Sequence, residues 1–163
     1  MYHAGQCDSK KCTGSRLLRQ GLCEEVKRVD RLRHTVFLDP YEQMPLSPSD
    51  RGPATSMGLG LIDASWAHAL DRHTAFRAKM PRRLPHLVPV NPINYGKLSM
   101  LTSAEAVAGA LFILGDPVFA RKVLSAIRWG PHFEEQNASL LELYASAKGP
   151  DAIEKMEKEI FSI

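Results

Sequence analysis

Residues capable of binding and catalysis cluster in the stretch CDSKKCTG, which begins at Cys7. Two cysteines with His3 upstream would allow a zinc site. Structural zinc sites normally have a second close pair of ligands, however, so we expect no metal. Thr13 and Gly14 stand where a helix would begin, and a hydroxyl with free backbone amides there suits a carboxylate or a phosphate. The alternative is that Thr13 only caps that helix.

Two further stretches can carry function. In GLIDASWAHA, Asp63 ends an apolar run with strand character, and parallel sheets place ligands at the carboxyl edge of their strands. Capping of the next helix by Asp63 or Ser65 is the alternative, and Trp66 could equally belong to the core. The irregular stretch NPINYGKLSMLTSAEA, from Asn91, is either a functional loop or an ordinary connection.

Charge and composition narrow the class of protein. The chain has 163 residues, a net charge of +3 and a basic first half, with eight lysines and arginines between Lys10 and Arg33. Such a distribution fits either nucleic acid or solvated helix faces. No apolar run approaches the ~20 residues of a membrane helix, and the first residues lack the core of a signal peptide. Three cysteines suit a reducing compartment, so we expect a cytoplasmic protein without a membrane partner.

The first half of the chain has α/β character. Strand patterns occur in RHTVFLDP from Arg33, SMGLGLID from Ser56 and HLVPVN from His86. The stretch ASWAHALDR, between the last two, has helical spacing. Strand, helix and strand in this order predict a βαβ unit and a largely parallel sheet.

The second half has helical patterns only. Thr102 and Glu105 form a capping-box sequence before a helix, which Gly115 should end. Asp116 and Pro117 should begin the next helix, and two more helical stretches follow. We therefore predict an α/β N-terminal domain over residues 1–91 and an all-α C-terminal domain over residues 92–163.

Six motifs in one order extend from about His3 to Tyr144: CDxKKCTG, LSPxD, DxSW, RLP, NPINYG and LTxxEA. Together they resemble the Tsr3 family, the 3-amino-3-carboxypropyltransferases of small-subunit ribosomal RNA, and the short chain looks like an archaeal member. The resemblance implies that S-adenosylmethionine donates its aminocarboxypropyl arm to N3 of N1-methylpseudouridine, with release of methylthioadenosine. It also implies a fold like the knotted SPOUT methyltransferases.

Residue roles follow from this resemblance motif by motif. Thr13 and Ser103 would hold the carboxylate of the cofactor, and Asp63 would act as general base or only orient the amino group of the arm. The other cofactor contacts would be made by Leu46, Pro48, Leu84, Ser99, Leu101 and Ala106 around the adenine, Ile62 at the ribose, and Trp66 and Ala69 over the methyl group. The expected RNA contacts are Lys11, Arg16 and Arg83.

Two other functions stay open at this point. A non-catalytic RNA-binding protein would share the basic surface, and an ordinary knotted rRNA methyltransferase would share the cofactor. The by-product distinguishes the three: methylthioadenosine for aminocarboxypropyl transfer, S-adenosylhomocysteine for methyl transfer, and neither for binding alone. We expect a monomer, because RNA must reach the cleft.

Overall fold

The computed structural model describes residues 1–5, 12–64 and 76–162, which form a small parallel sheet and six α-helices. The strand order in the sheet is β1-β3-β2-β4, and each neighbouring pair is parallel. The strands are β1 Tyr2–His3, β2 Val36–Leu38, β3 Leu59–Asp63 and β4 Met80–Arg82. The helices are α1 Thr13–Arg19, α2 Arg51–Met57, α3 Ser103–Leu114, α4 Pro117–Ser125, α5 Gly130–Ala145 and α6 Pro150–Phe161.

Two of the three predicted strands are confirmed. β2 lies within RHTVFLDP and all of its residues are buried, as the β-branched and apolar composition suggests. β3 lies within SMGLGLID and pairs with β2 in the register Leu38 to Leu61. The sheet is parallel, as predicted. The helix predicted over ASWAHALDR falls mostly on residues 65–75, outside the described residues, so the βαβ unit stays a prediction.

The prediction of a third strand at HLVPVN is wrong, since the fourth strand of the sheet is Met80–Arg82. In residues 86–90 the backbone amides bind side chains from three helices instead of a neighbouring strand. Glu157 Oε1 accepts from His86 N at 2.7 Å, Asn137 Oδ1 from Val88 N at 2.8 Å, and Glu105 Oε1 from Val90 N at 3.0 Å. We call Glu105, Asn137 and Glu157 the segment-binding residues.

Two prolines explain why the opposite side of residues 86–90 forms no ladder of backbone hydrogen bonds with another strand. Pro85 and Pro89 have no backbone N–H, and in an extended chain they face the side opposite His86 and Val88. The carbonyls on that side bind a loop instead, with Ser99 N donating to Leu87 O at 2.9 Å and Gly96 N to Pro89 O at 3.1 Å. The backbone polar groups of this segment therefore bind side chains and a loop where a strand would bind neighbouring strands.

The predicted helix boundaries in the second half are confirmed. Thr102 Oγ1 accepts from Glu105 N, and Glu105 Oε2 accepts from Thr102 N, which is the reciprocal capping box. Gly115 ends α3 in the left-handed region at φ +83°. Asp116 caps α4 through Phe119 N, and Pro117 is its first residue.

One cluster of buried apolar residues includes members from both halves of the chain, such as Leu17, Val36, Leu87, Ala108 and Phe133. Helix α3 packs against α4 and α5 and also reaches α1. This shared core fixes the first turn of α3 against the carboxyl end of β3. The division at residues 91 and 92 stays a prediction. None of the helices in the described ranges has the length and apolarity to cross a membrane.

Candidate active site

Asp63 is the last residue of β3, at the carboxyl edge of the sheet, and it is buried. Its Oδ1 accepts a short hydrogen bond from Ser103 Oγ. Its Oδ2 accepts from Cys12 Sγ at 3.1 Å and lies 3.3 Å from His3 Nε2. The end of β1, the start of α1, the end of β3 and the start of α3 thus meet at one carboxylate. We call Asp63, Ser103, Cys12, His3 and Ser15 the Asp63 cluster.

Two helix N-termini face each other beside this carboxylate. Helix α1 begins at Thr13 with Cys12 as its N-cap, and α3 begins at Ser103 with Thr102 as its N-cap. Thr13 is buried, and its Oγ1 accepts from Ala104 N at 3.3 Å. Backbone amides at a helix N-terminus carry partial positive charge. The place is therefore suited to an anionic group.

The close approach of α1 to Asp63 explains why a glycine follows Thr13 in the sequence. A Cβ at Gly14 would lie 2.4 Å from both Cγ and Oδ2 of Asp63. Any side chain would therefore displace the carboxylate, so the first turn of α1 approaches Asp63 only because residue 14 is glycine.

His3 connects the carboxylate to a second partner. Its Nδ1 accepts from Gly5 N at 3.2 Å, and its Nε2 lies 2.8 Å from Ser15 Oγ. In the register of β1 and β3, His3 is directly beside Asp63. The candidate ligand atoms of His3, Cys12 and Asp63 lie within 4.8 Å of one another, so these three residues could also hold a metal ion.

Apolar residues expected around an adenine lie on segments that the fold brings together. Leu46 is fully buried, and its N donates to Arg83 O at 2.7 Å, which places it alongside the chain that leads to Leu84. Pro48 begins a 3-10 turn that packs against α3. On the α3 side, Leu101 is buried and Ala106 is half-buried.

Ser99 has an unusual backbone. Its φ of +64° lies in the left-handed region, which non-glycine residues rarely adopt. The conformation is held by Ser99 N donating to Leu87 O and by Ser99 Oγ bonding His86 Nδ1 at 2.8 Å. Positive φ in non-glycine residues clusters at functional sites.

Comparison with known proteins identifies the family. Residues 36–161 match the family model described as "Ribosome biogenesis protein, C-terminal", and residues 1–31 match "Possible Fer4-like domain in RNase L inhibitor, RLI". The chain is 38% identical over 161 residues to the 16S rRNA aminocarboxypropyltransferase of Methanothermobacter thermautotrophicus, covering 98% of this chain and 95% of that protein. It is 44% identical over 149 residues to the enzyme of that name from Vulcanisaeta distributa, covering 90% and 80%.

A solved structure agrees. The SAM-dependent rRNA:acp-transferase Tsr3 from Vulcanisaeta distributa superposes with a TM-score of 0.87 at 37% identity, covering 99% of this chain and 96% of that chain. This chain belongs to the Tsr3 family. The sequence-based recognition of that family is confirmed, and the chain is a member of a family of transferases.

The expected residues of a Tsr3-family site divide into those the structure brings together and those it does not describe. Ser103 bonds Asp63 directly, and Thr13 bonds the backbone amide of Ala104, the residue after Ser103. Ile62 precedes Asp63 in β3 and is half-buried. Lys11, Trp66 and Ala69 lie outside the described residues.

The two remaining basic residues differ in their partners. Arg16 is half-buried, and its Nη1 donates to Ala126 O at 3.4 Å. Arg83 forms a bidentate pair with Glu157 at 3.0 and 2.7 Å, while its Nε donates to Gln43 O. Every nitrogen of the Arg83 guanidinium therefore has an intramolecular partner.

Sequence reasoning missed that His3, Cys12 and Ser15 surround Asp63. It considered His3 and Cys12 only as ligands of a zinc site in the N-terminal loop. The signal was the position of His3 at the end of a short apolar start, because parallel strands end at one edge. Which strands would be neighbours could not be read from the pattern.

Proposed function

We propose that this protein transfers the 3-amino-3-carboxypropyl group of S-adenosylmethionine to N3 of N1-methylpseudouridine in small-subunit rRNA, with release of methylthioadenosine. Membership of the Tsr3 family supports the reaction class. The observation that carries the proposal is the meeting of Thr13, the first turn of α3 and the buried Asp63. This place combines donors for an anion with an acceptor for a cation.

The aminocarboxypropyl arm carries one carboxylate and one ammonium, and the residues present fit both. Thr13 has a hydroxyl hydrogen to donate, and Ser103 contributes an amide at the N-terminus of a twelve-residue helix. These groups would hold the carboxylate. Asp63 is the negative group beside them and would face the ammonium or the acceptor nitrogen.

The remaining cofactor contacts are proposed on the apolar side of the site. Leu46 and Pro48 would cover one face of the adenine, with Leu101 and Ala106 opposite. The backbone groups of Leu84 and Ser99 would bind the adenine edge, and the carbonyl of Ile62 would accept from the ribose. Trp66 and Ala69 would close over the methyl group.

When bound, S-adenosylmethionine supplies an arm whose γ-carbon is activated by the sulfonium. The protein contributes positioning, which can account for a large part of the acceleration when reacting atoms are held ~3–3.5 Å apart. Asp63 has two candidate roles: to take the proton from N3 or to fix the ammonium of the arm. Thr13 and Ser103 anchor the far end of the arm in either case.

Lys11, Arg16 and Arg83 are the proposed RNA contacts, and Arg16 has the geometry that suits this role better than Arg83. An Arg83–phosphate contact would have to compete with the buried Glu157 carboxylate, whose side chain is 3% exposed. Arg16 makes a single long hydrogen bond among the described residues. Its guanidinium can therefore turn to a phosphate at little cost.

Three wider features belong to the same proposal. The chain would be knotted like the SPOUT methyltransferases, with an α/β domain over residues 1–91 and a helical domain over residues 92–163 gripping the cofactor. It would act as a cytoplasmic monomer in ribosome biogenesis, without a resident metal. The match of residues 36–161 to a ribosome biogenesis family supports the cellular role.

The by-product tests the reaction. The protein is incubated with labelled S-adenosylmethionine and a hairpin RNA that carries N1-methylpseudouridine, and the same hairpin with uridine is the control. We expect methylthioadenosine and a labelled N1-methylpseudouridine hairpin. S-adenosylhomocysteine would indicate a methyltransferase, and RNA binding without either product would indicate a non-catalytic protein.

A matched pair of variants tests the site. Thr13→Val keeps the shape of the side chain and removes the hydroxyl, so the affinity for S-adenosylmethionine should fall about tenfold. Thr55→Val is the control, because Thr55 is exposed and its hydroxyl donates to Arg51 O, within its own helix. Equal affinities in the two variants would show that Thr13 is an N-terminal helix residue without a role in binding.

A further inference from the structure

We propose that His3 is a positioning residue for Asp63, and that Ser15 holds the His3 ring in place. The inference rests on the proposed function, since it assigns a role in the reaction of that same site. In this role His3 keeps the Asp63 carboxylate in one orientation through an Nε2–H donor. His3 itself has no contact with substrate or cofactor in the proposal.

The backbone determines which ring nitrogen of His3 carries the proton. Gly5 N donates to His3 Nδ1 at 3.2 Å, so Nδ1 is an acceptor. A neutral imidazole has one donor and one acceptor. Nε2 therefore carries the hydrogen. Its hydrogen-bond partner is Ser15 Oγ at 2.8 Å, with Cys12 Sγ at 3.5 Å, and Asp63 Oδ2 lies 3.3 Å away, close enough to share the same hydrogen when the ring tilts toward it.

The carboxylate is then held from two sides. Ser103 Oγ donates to Oδ1 from the first turn of α3, while Cys12 Sγ and His3 Nε2 face Oδ2 from α1 and β1. When a ligand replaces Ser103 as the partner of Oδ1, the contacts at Oδ2 remain and prevent the Asp63 carboxylate from rotating. Of these, the imidazole is the stronger donor, because a thiol is a weak one.

Burial favours an interaction of this kind. The Asp63 side chain is 5% exposed and that of His3 is 18% exposed, so the ring covers the carboxylate from water. A hydrogen bond to a charged acceptor is stronger than one between neutral groups. Ser15 stands one turn into α1 and bonds the same nitrogen, which fixes the plane of the ring.

The test compares His3→Ala with His3→Gln in the full-length protein. Glutamine places an amide donor close to the position of Nε2, whereas alanine leaves none. We expect His3→Ala to lower kcat for methylthioadenosine release about tenfold. The Kd for S-adenosylmethionine should change less than about threefold if Asp63 takes the N3 proton, and should rise together with the loss of kcat if Asp63 fixes the ammonium. His3→Gln should recover kcat to within about threefold of wild type, and Ser15→Ala should show a smaller loss than His3→Ala.

His34→Ala is the matched control, because His34 is exposed and lies before β2, away from the cluster. It should leave kcat unchanged. A second measurement needs no turnover: the ¹⁵N chemical shifts of the His3 ring in wild-type protein should be those of an Nε2–H tautomer. This measurement keeps the inference testable even where His3→Ala fails to fold.

Three outcomes would overturn the inference. These are wild-type kcat in His3→Ala, a His3→Gln variant as impaired as His3→Ala, or a ring whose Nε2 carries no proton. Stoichiometric zinc bound through His3 Nε2 would be a case of the third outcome, because a metal-bound nitrogen has no proton to donate. Absence of methylthioadenosine with the wild-type protein would instead overturn the proposed function.

Discussion

The Asp63 cluster and the segment-binding residues are both buried polar groups, yet they have opposite kinds of partners. Glu105, Asn137 and Glu157 accept from backbone amides of residues 86–90, which cannot turn away. The Asp63 carboxylate accepts from a hydroxyl and a thiol and lies beside the His3 imidazole, and all three side chains can rotate to a new partner. Burial alone therefore does not distinguish the two sets. Each segment-binding residue has a backbone amide among its partners, whereas the described partners of the Asp63 carboxylate are all side chains, so we expect Asp63 to be the one that exchanges a partner for a ligand.

The largest effect is expected at the segment-binding residues. Glu157→Ala leaves the Arg83 charge and His86 N without their partner, so we expect the free energy of unfolding to fall by about 3–5 kcal/mol. Urea denaturation measures it. Glu159→Ala is the control on the same helix, since that side chain is 67% exposed, and it should change stability by less than about 0.5 kcal/mol. An equally small change in the free energy of unfolding for Glu157→Ala would show that the segment-binding residues do not stabilise the fold.

The capping box shows how much of this structure could be predicted from sequence. Thr102 and Glu105 are three residues apart, so their reciprocal hydrogen bonds follow from local spacing, and the prediction is confirmed. The other oxygen of Glu105 binds Val90 N, and Asn91 Nδ2 donates to the same carboxylate. That second use depends on tertiary packing, and nothing in the spacing indicates it.

The site could be predicted only where its parts are local. The Thr-Gly start of α1 and the position of Asp63 at a strand end follow from short patterns. The contact of His3 with Asp63 depends on β1 pairing with β3, two strands separated by almost sixty residues of chain. The apolar stretch HLVPVN also led to the prediction of a strand at residues 86–91, because composition does not show that prolines and helix side chains replace the partners of a strand.

Asp63→Asn should separate activity from stability. We expect kcat for methylthioadenosine release to fall at least about 100-fold, with a smaller loss of unfolding free energy than in Glu157→Ala. Enzyme kinetics and urea denaturation on the same preparation measure both quantities. Wild-type kcat in this variant would show that Asp63 is structural, like Glu157.

The same variant distinguishes the two roles of Asp63. If the carboxylate takes the N3 proton, the Kd for S-adenosylmethionine should stay near that of wild type. If it fixes the ammonium of the arm, that Kd should rise together with the loss of kcat. Isothermal titration without RNA measures this affinity, so the result does not depend on turnover.

Arg16 and Arg83 extend the comparison to the basic residues. Arg16→Ala should weaken RNA binding and flatten the slope of log K against log salt by roughly one unit, as loss of one phosphate contact does. Lys155→Ala, which removes a charge from an 80% exposed side chain, is the control. Arg83→Ala should mainly lower stability, because its partner Glu157 is buried. A flatter salt slope in Arg83→Ala with unchanged stability would reverse these assignments.

Tyr144 gives the smallest effect. It is buried, and its hydroxyl donates to His86 O at 3.2 Å, which adds a further contact between the helices and residues 86–90. Tyr144→Phe should lower the free energy of unfolding at pH 7 by about 1 kcal/mol, since one hydrogen bond is lost while the ring remains. Tyr95→Phe is the control, because that side chain is 70% exposed.

Alkaline pH sharpens this last test. Burial raises the pKa of the Tyr144 hydroxyl, the negative charge of Glu157 adds to the rise, and Arg83 opposes it. The unfolded chain loses this proton near pH 10 while the folded protein keeps it, so the contribution is complete below about pH 10 and is lost as pH rises further. Between pH 10 and 11, wild type should therefore lose about 1 kcal/mol more than Tyr144→Phe, and the difference should grow further above pH 11 while the folded hydroxyl keeps its proton. Parallel stability curves for the two proteins would show that the hydroxyl ionises equally in both states and does not hold the segment.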